Sequence, residues 1–394
     1  MKPVCAISSR RTGSLDWLTI AIFAALLSLP ALDYFTGVDV TRPPDENRLP
    51  APKPQLKDWN LRALQNWFAG AEDYFNDHFG FRKRLIRWCQ QWKSRLYRDE
   101  SGHKVLVGPH GWLFSGELEM IDHYLGLARF TPAQLRAWQT LLEKRRDWLA
   151  ARGIKYVFIV APDKHDIYPE ELPLWLQNAA PAGRETKLDQ FLEYMKTHST
   201  VSVLDLRPPL LAAKGTASTY LQIDTHWNLF GAFVAARQVI QALAAQIPGL
   251  PPLRLEDFTY TNVPARDGDL SRLLGRPMAE KNFFVFKPKP GVTTPEIRLA
   301  TNLVSAWNPH APNAISENAA PLTVDAVVFH DSFGMSWREF FGHCFKRAVF
   351  EAERREFNPR VIEENRPQVV ISEFLERFFN TFDPNEMLAR EALP

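Results

Sequence analysis

Apolar positions along this chain follow two rhythms. Short, nearly continuous apolar runs occupy residues 154–161, 201–206, 324–329 and 369–373. A run of that length without polar alternation is what a strand buried on both faces requires. Between these runs, apolar residues recur at helical spacing. Residues 132–152 form one such stretch: Thr131 can cap it, Pro132 suits its first turn and Gly153 ends it. Residues 189–197 lie in another, and 228–245 form a long apolar helix. Residues 105–114, VLVGPHGWLF, read as a strand, a Gly-Pro turn and a second strand. Residues 281–320 lack periodicity and read as an excursion of loops and short strands. Buried strands alternating with helices give an α/β fold with a mainly parallel sheet flanked by helices.

Upstream of that domain the pattern changes. Lys2, Arg10 and Arg11 precede an apolar run over 17–32, and Asp33 follows it. A membrane-spanning helix takes about 20 apolar residues, and Tyr34, Phe35 and Val38 can extend the run through the interface. Basic residues on the near side place the N-terminus in the cytoplasm and the remainder outside. The run lacks a clear A-x-A site, so an uncleaved N-terminal transmembrane helix over 16–38 is expected in preference to a cleaved signal peptide. The expected order is a cytoplasmic tail over 1–15, the anchor, a proline-rich linker over 39–55, a helical lead-in over 56–100 and the α/β domain over 101–394. In the lead-in, Leu, Trp, Phe and Arg at helical spacing read as two helices split near Gly80, with solvated basic faces.

Composition narrows the function classes. The 394 residues, 45% of them hydrophobic, suffice for one large or two modest domains. Lys+Arg 47 against Asp+Glu 45 leaves a net charge of +2, which gives no electrostatic footprint for nucleic acid. The 12 Trp are compatible with stacking on sugar rings without requiring it. Cys5 lies before the anchor, whereas Cys89 and Cys344 would share an oxidising compartment, where a disulfide and two separate thiols both remain open. The histidines have no metal-ligand spacing, and no G-x-G-x-x-G or P-loop is present, so neither a metal nor a cofactor is assigned.

Two motifs carry candidate chemistry. One is Ile223-Asp224-Thr225-His226-Trp227; the other is His330-Asp331-Ser332-Phe333-Gly334, at the end of an apolar strand. A serine hydroxyl is a weak nucleophile until a base lies within hydrogen-bond reach and a third group holds that base in the right tautomer. Asp224 and His226, two residues apart, project to one side of an extended segment. Ser332 sits where a buried strand turns towards a helix, a position that exposes the hydroxyl and aims backbone N–H groups at a developing oxyanion. A second D-x-H, Asp163-Lys164-His165, falls at the end of the strand over 154–161, so spacing alone leaves two candidate dyads. His330 is a further candidate partner of Ser332 if it is not simply packed. Glu373 also falls at a strand end. Asp269, in Arg266-Asp267-Gly268-Asp269-Leu270, reads as a turn and helix cap.

The order of these segments resembles the periplasmic alginate O-acetyltransferase family, whose members carry an SGNH-hydrolase-like, flavodoxin-like domain. The resemblance rests on Tyr74-Phe75-Asn76-Asp77-His78-Phe79-Gly80, Gly108-Pro109-His110-Gly111-Trp112, Pro162-Asp163-Lys164 with Tyr168-Pro169-Glu170, Asp224-Thr225-His226-Trp227, Gly268-Asp269-Leu270 and His330-Asp331-Ser332-Phe333-Gly334. It implies Ser332 as nucleophile, His226 as general base and acid, and Asp224 as orienting carboxylate, which selects between the two dyads. Asp163, Lys164 and Tyr168 are then pocket-wall or structural candidates; Lys164, Tyr168, Trp227 and Trp112, the last most simply a core aromatic, are the candidates for substrate binding. The resemblance also implies an acetyl-enzyme, a polysaccharide acceptor, and a multispanning membrane O-acyltransferase as the donor route. The catalytic domain would be held in the periplasm by a single pass through the bacterial inner membrane. A polysaccharide esterase with the same three residues, and a non-catalytic assembly protein of an export complex, remain the alternatives.

Overall fold

The computed structural model describes residues 104–299, 313–352, 357–391 and 393, with isolated positions between 17 and 81. The chain divides into two compact units, Met1–Leu96 and Tyr97–Pro394. In the first, the expected anchor and lead-in helices lie outside the described residues, apart from isolated helical positions such as Trp17, Leu64, Trp67 and Tyr74. Among the described residues no helix is long and apolar enough to cross a membrane.

The second unit opens with a hairpin of β1 (Val105–Val107) and β2 (Leu113–Ser115), the strand–turn–strand expected of VLVGPHGWLF. In chain order there follow β3 (Lys155–Ala161), β4 (Val203–Asp205), β5 (Phe258–Asn262), β6 (Ala265–Arg266), β7 (Ala279–Glu280) and β8 (Phe284–Pro288). The last five are β9 (Glu296–Leu299), β10 (Ala314–Glu317), β11 (Asp325–Phe329), β12 (Arg347–Glu351) and β13 (Val369–Leu375). A seven-stranded sheet takes the order β4-β3-β13-β11-β12-β10-β9. Pairings from β4 across to β12 are parallel, whereas β10 joins β12 and β9 antiparallel. The sheet is therefore mixed, with its parallel part at the centre. There Ile371 of β13 pairs with Val157 of β3 on one side and Val328 of β11 on the other, and all three are fully buried.

Three expectations are corrected by this arrangement. The run over 201–206 is not a strand buried on both faces: β4 is an edge strand, paired only to β3, and all three of its residues are half-buried. Strand β12 went unread because its apolar stretch is short and flanked by Arg347 and Glu351, yet Ala348, Val349 and Phe350 lie in the centre of the domain. Part of the aperiodic excursion does not stand apart from the sheet: β9 and β10 extend it. Mutual pairing rather than apolar periodicity makes these segments strands, because the backbone of an edge is satisfied by its neighbour whatever the side chains.

The helices form where local signals converge. Thr131 and Gln134 make a reciprocal capping box at the start of Pro132–Ala150, and Thr186 with Asp189 does the same for Lys187–His198. Helix Leu229–Ala244 is capped by Asn228, whose Oδ1 accepts from the Gly231 N–H at 2.9 Å, and most of its length is buried. Aromatic rings fill the space between layers. Trp138, fully buried, makes edge contacts with Phe191, Phe374 and Phe379 at 5.2–5.8 Å between centroids. Truncating such a side chain removes its transfer free energy and leaves a cavity. Trp138→Ala is expected to lower unfolding stability by about 3–5 kcal/mol, measured by urea denaturation; a loss below about 1 kcal/mol would mean the layer collapses to refill the site.

Candidate active site

Strand β11 delivers the serine. After Phe329 the backbone turns, and three polar groups fix the turn. The Asp331 N–H donates to Glu373 Oε2 of β13 at 2.9 Å, and the Phe333 N–H donates to Asp331 Oδ1 at 2.8 Å. The His330 N–H donates to the Glu351 carbonyl of β12 at 3.0 Å. Gly334 closes the turn over His330, where a Cβ would come 2.4 Å from the histidine Cβ, so no larger residue fits without movement. A 3-10 turn, Gly334–Ser336, then leads into helix Trp337–Gly342. Ser332 is left half-buried at the crest.

The second motif does not run extended. Residues 222–226 bend, and Asp224 Oδ1 accepts from both the His226 N–H at 3.0 Å and the His226 ring Nδ1–H at 2.7 Å. Asp224 and His226 meet because the carboxylate closes a side-chain turn, not because alternate residues of a strand share a face. With Nδ1–H committed to Asp224, neutral His226 presents a bare Nε2, and Ser332 Oγ lies 2.8 Å from it. Trp227 ties the two motifs together: its Nε1–H donates to the Phe333 carbonyl at 3.1 Å, and its ring packs on Phe333 and Trp337. The structure thus brings Asp224, His226 and Ser332 into one hydrogen-bonded line.

Charge is distributed unevenly along that line. Burial works against a charged His226, but the hydrogen bond and charge of Asp224, with Asp269 beyond it, outweigh burial and raise the imidazole above its ordinary value. Burial would raise Asp224, yet the His226 hydrogen bond and charge and the Asp269 N–H hold it well below the usual carboxylate range. Asp269 moves the other way, pushed up by burial and by the neighbouring Asp224 charge.

The alternative dyad has a different environment. His165 is buried against Phe114 and Tyr124, its Nε2–H donates to the Ser115 carbonyl at 3.0 Å, and burial pushes it down to about 3. Asp163 pairs with Arg377 at 2.8 Å, and burial raises it to about 6. His330 is also internal: it is fully buried, its Nδ1 meets the Asp331 carbonyl at 2.5 Å, and burial pushes it down to about 3.

The four candidates for substrate binding are all buried. Trp112 stacks on Tyr168 at 4.3 Å between centroids, and the Tyr168 hydroxyl accepts from the Thr219 N–H at 2.8 Å. Trp227 is engaged as described. Lys164 donates from Nζ to the carbonyls of Leu113, Gln222 and Asp224 at 2.7, 2.9 and 3.1 Å. Lys164 thus braces the bent segment from within. Cys344 is a free, buried thiol, and Cys89 lies outside the described residues.

Two residues that hold this site were not assigned to it from sequence. Glu280 accepts from the N–H groups of Gln222 and Ile223, each at 2.9 Å. Asp269 accepts from the Thr225 N–H at 2.8 Å and from its hydroxyl at 2.5 Å. The only signal was the Gly-Asp-Leu string, which a turn and cap also explain. Among the described residues, two clusters bring metal-ligating types within 4.8 Å of one another: His123, Asp166 and Glu376, and Asp224, His226 and Asp269. In the first, Glu376 is already bound by His123 at 2.8 Å and Asp166 by Arg184 at 2.9 Å. The second is the line just described.

Residues 105–294 match the family model of the SGNH hydrolase-like domain of the acetyltransferase AlgX. Over this segment the chain is similar to that domain family. The segment includes Asp224, His226 and Asp269, and Ser332 lies beyond it. The chain is 27% identical over 203 residues to a probable alginate O-acetylase AlgJ of Pseudomonas syringae, covering 48% of this chain and 49% of the relative. It is 31% identical over 208 residues to the protein so named in Pseudomonas aeruginosa, covering 49% and 48%. The chain thus spans about half the length of these curated relatives. In fold it is similar to the crystal structure of a DHHW family protein from Eubacterium siraeum, with a TM-score of 0.52 and 16% identity over 74% of this chain and 96% of that one. The resemblance drawn from the motifs is borne out at the level of the family and of the α/β fold.

If Lys164 is a brace, Lys164→Met leaves buried carbonyls short of a donor, at a cost on the order of 1–3 kcal/mol for each one orphaned. Urea unfolding is expected to register that loss. Unchanged stability with a raised KM would return Lys164 to the substrate.

Proposed function

We infer that this chain is an O-acetyltransferase that carries an acetyl group on Ser332 and delivers it to a hydroxyl of an exported polysaccharide, alginate or a similar polymer. The observation that carries this reading is the Asp224–His226–Ser332 line, at 2.7 and 2.8 Å, in a chain whose residues 105–294 match an acetyltransferase domain family. The relatives named alginate O-acetylase support the substrate class.

In this reading Ser332 Oγ attacks the carbonyl carbon of the donor ester while His226 Nε2 takes the hydroxyl proton. The tetrahedral oxyanion needs a preorganised donor. The Phe333 N–H is taken by Asp331, which leaves the Ser332 N–H as the first choice. Collapse breaks the donor C–O bond, the leaving oxygen takes the proton from His226, and acetyl-Ser332 remains. A sugar hydroxyl then gives its proton to His226 and attacks the same carbon. The sugar ester departs, and Ser332 recovers the proton. Asp224 takes no proton in either half; it holds the Nδ1–H and stabilises each imidazolium. An esterase differs only in admitting water to the second half, which is why it stands as the second reading.

The polymer would be met outside the inner membrane, with residues 16–38 as the single-pass anchor and a multispanning membrane O-acyltransferase supplying the acetyl group. No cofactor has a step in this scheme.

Brief exposure of the full-length chain to an activated acetyl ester is expected to add about 42 Da by intact mass, the signature of covalent catalysis. The gain should vanish in Ser332→Ala and in His226→Ala, and persist in a folded His165→Ala. Adding oligosaccharide should move the group to sugar; loss to water alone would favour the esterase. No adduct and no ester cleavage would leave a non-catalytic role in an export assembly. Because His226 must be neutral to act as base and is held above its ordinary 6.5, acylation should rise with pH through a limb above that value. A rate already flat at pH 6 would contradict this assignment of the base.

A further inference from the structure

Asp269 begins a short helix, Asp269–Leu274, and its Oδ1 accepts from the Leu270 N–H of that helix at 2.6 Å. The same carboxylate also reaches a segment more than forty residues earlier in the chain, where both oxygens accept from Thr225. Asp269 Oδ2 also lies 3.9 Å from His226 Nδ1. Its backbone N–H points the same way and donates to Asp224 Oδ2 at 2.8 Å, the oxygen that His226 leaves free. This approach is built in. A Cβ at Gly268 would stand 2.2 Å from the Ile223 carbonyl oxygen and 2.9 Å from the Asp224 Cβ, so only glycine lets the helix start this close. The Ser271 N–H completes the seam on the Ile223 carbonyl at 3.2 Å.

We propose that Asp269 is a second carboxylate for the base: its N–H fixes the orientation of Asp224, and its charge supports the His226 imidazolium that forms in each half of the transfer. The proposal rests on the reading of Ser332 and His226 as nucleophile and base. Asp269 is a positioning residue, since it acts through His226 and Thr225 rather than on the reacting atoms.

The charges around His226 allow such a role. Asp224 and Asp269 face it on the Nδ1 side, and Arg377 acts against it from the segment after β13. Lys164 stands beyond Asp224, bonded to its carbonyl, and Glu280 clamps the same segment from β7. Two carboxylates this close cannot both be equally stabilised. Asp224 is held low and Asp269 raised, so acidification protonates Asp269 first and removes its support while Asp224 remains charged.

The test uses the full-length chain, with two readouts: the pH dependence of acetyl-enzyme formation, and NMR titration of the His226 ring without substrate. In the unsubstituted chain the ring signal should show its own titration and a smaller second step, above the ordinary carboxylate range, as Asp269 protonates; the absence of that step overturns the proposal. Asp269→Asn should move the acid limb, in rate and in NMR, down by about one pH unit and lower the plateau roughly ten-fold, as expected for losing one charge near 4 Å at a partly exposed site. Asp269→Glu, which keeps the charge, should bring the limb back towards its original position. Thr225→Val keeps the charge but cuts the hydroxyl tie, so its limb should stay in place. An unmoved limb in Asp269→Asn, or an equal movement in Thr225→Val, would reduce Asp269 to a loop brace and sink the idea. A surviving adduct in Ser332→Ala would instead refute the nucleophile, and the NMR titration would still judge Asp269 separately.

Discussion

A buried ammonium and a buried carboxylate grip opposite sides of one short stretch of backbone, and the site depends on that grip. Lys164 holds the carbonyls of Gln222 and Asp224, while Glu280 holds the N–H groups of Gln222 and Ile223. Residues 222–226 belong to no helix or sheet, so their polar backbone groups have no ladder to satisfy them. In a buried place that would be costly, and a loop is normally pushed to the surface for this reason. Two ionic side chains supply many of the missing partners, beside the N–H groups of Leu113 and Ser271 and the carboxylates of Asp224 and Asp269. The segment can then be bent and still be fixed, and the bend is what aims the His226 ring at Ser332.

The nucleophile is positioned by a different device. Ser332 follows a strand at the centre of a parallel sheet, where ligands gather at the carboxyl ends of strands. Its turn is stitched to both neighbouring strands, through Glu373 of β13 and the carbonyl of Glu351 of β12. A loop pinned on both sides has little freedom to move the hydroxyl. Besides the His226–Ser332 contact, Trp227 bridges this turn and the bent segment with one hydrogen bond and two ring contacts, and the His226 ring lies 4.8 Å from that of Phe333. Serine and histidine thus come from independent frameworks, and a large buried aromatic sets their spacing.

Several charged side chains also lie inside, at the ends of strands of the seven-stranded sheet. Asp163, Glu376 and Arg377 cluster at the ends of β3 and β13, beside His123. Buried charges are tolerated when each finds an opposite partner and further hydrogen bonds. Here Glu376 accepts from His123 at 2.8 Å and from the Asp163 N–H at 2.7 Å. The network joins β3 and β13 at their carboxyl ends, next to the Glu376 N–H to Ala161 carbonyl bond at 2.9 Å.

Local physics made part of this legible in the chain itself. Continuous apolar runs named β3, β11 and β13, and caps and prolines named the long helices, because burial and end chemistry are properties of consecutive residues. The spacing of Asp224 and His226 marked a candidate base, and Ser332 after an apolar strand marked a candidate nucleophile. Their resemblance to a family then separated this dyad from Asp163 and His165. Sequence could not separate the dyads unaided, since an aspartate two residues before a histidine has the same spacing whether the ring meets a hydroxyl or a core carbonyl. Only the tertiary structure decided that Lys164, Tyr168, Trp112 and Trp227 turn inward, that the edge strands β9 and β10 join the sheet, and that Asp269 and Glu280 reach back across the chain. Those outcomes depend on which distant backbone groups a fold leaves without partners, and no window of consecutive residues contains that information.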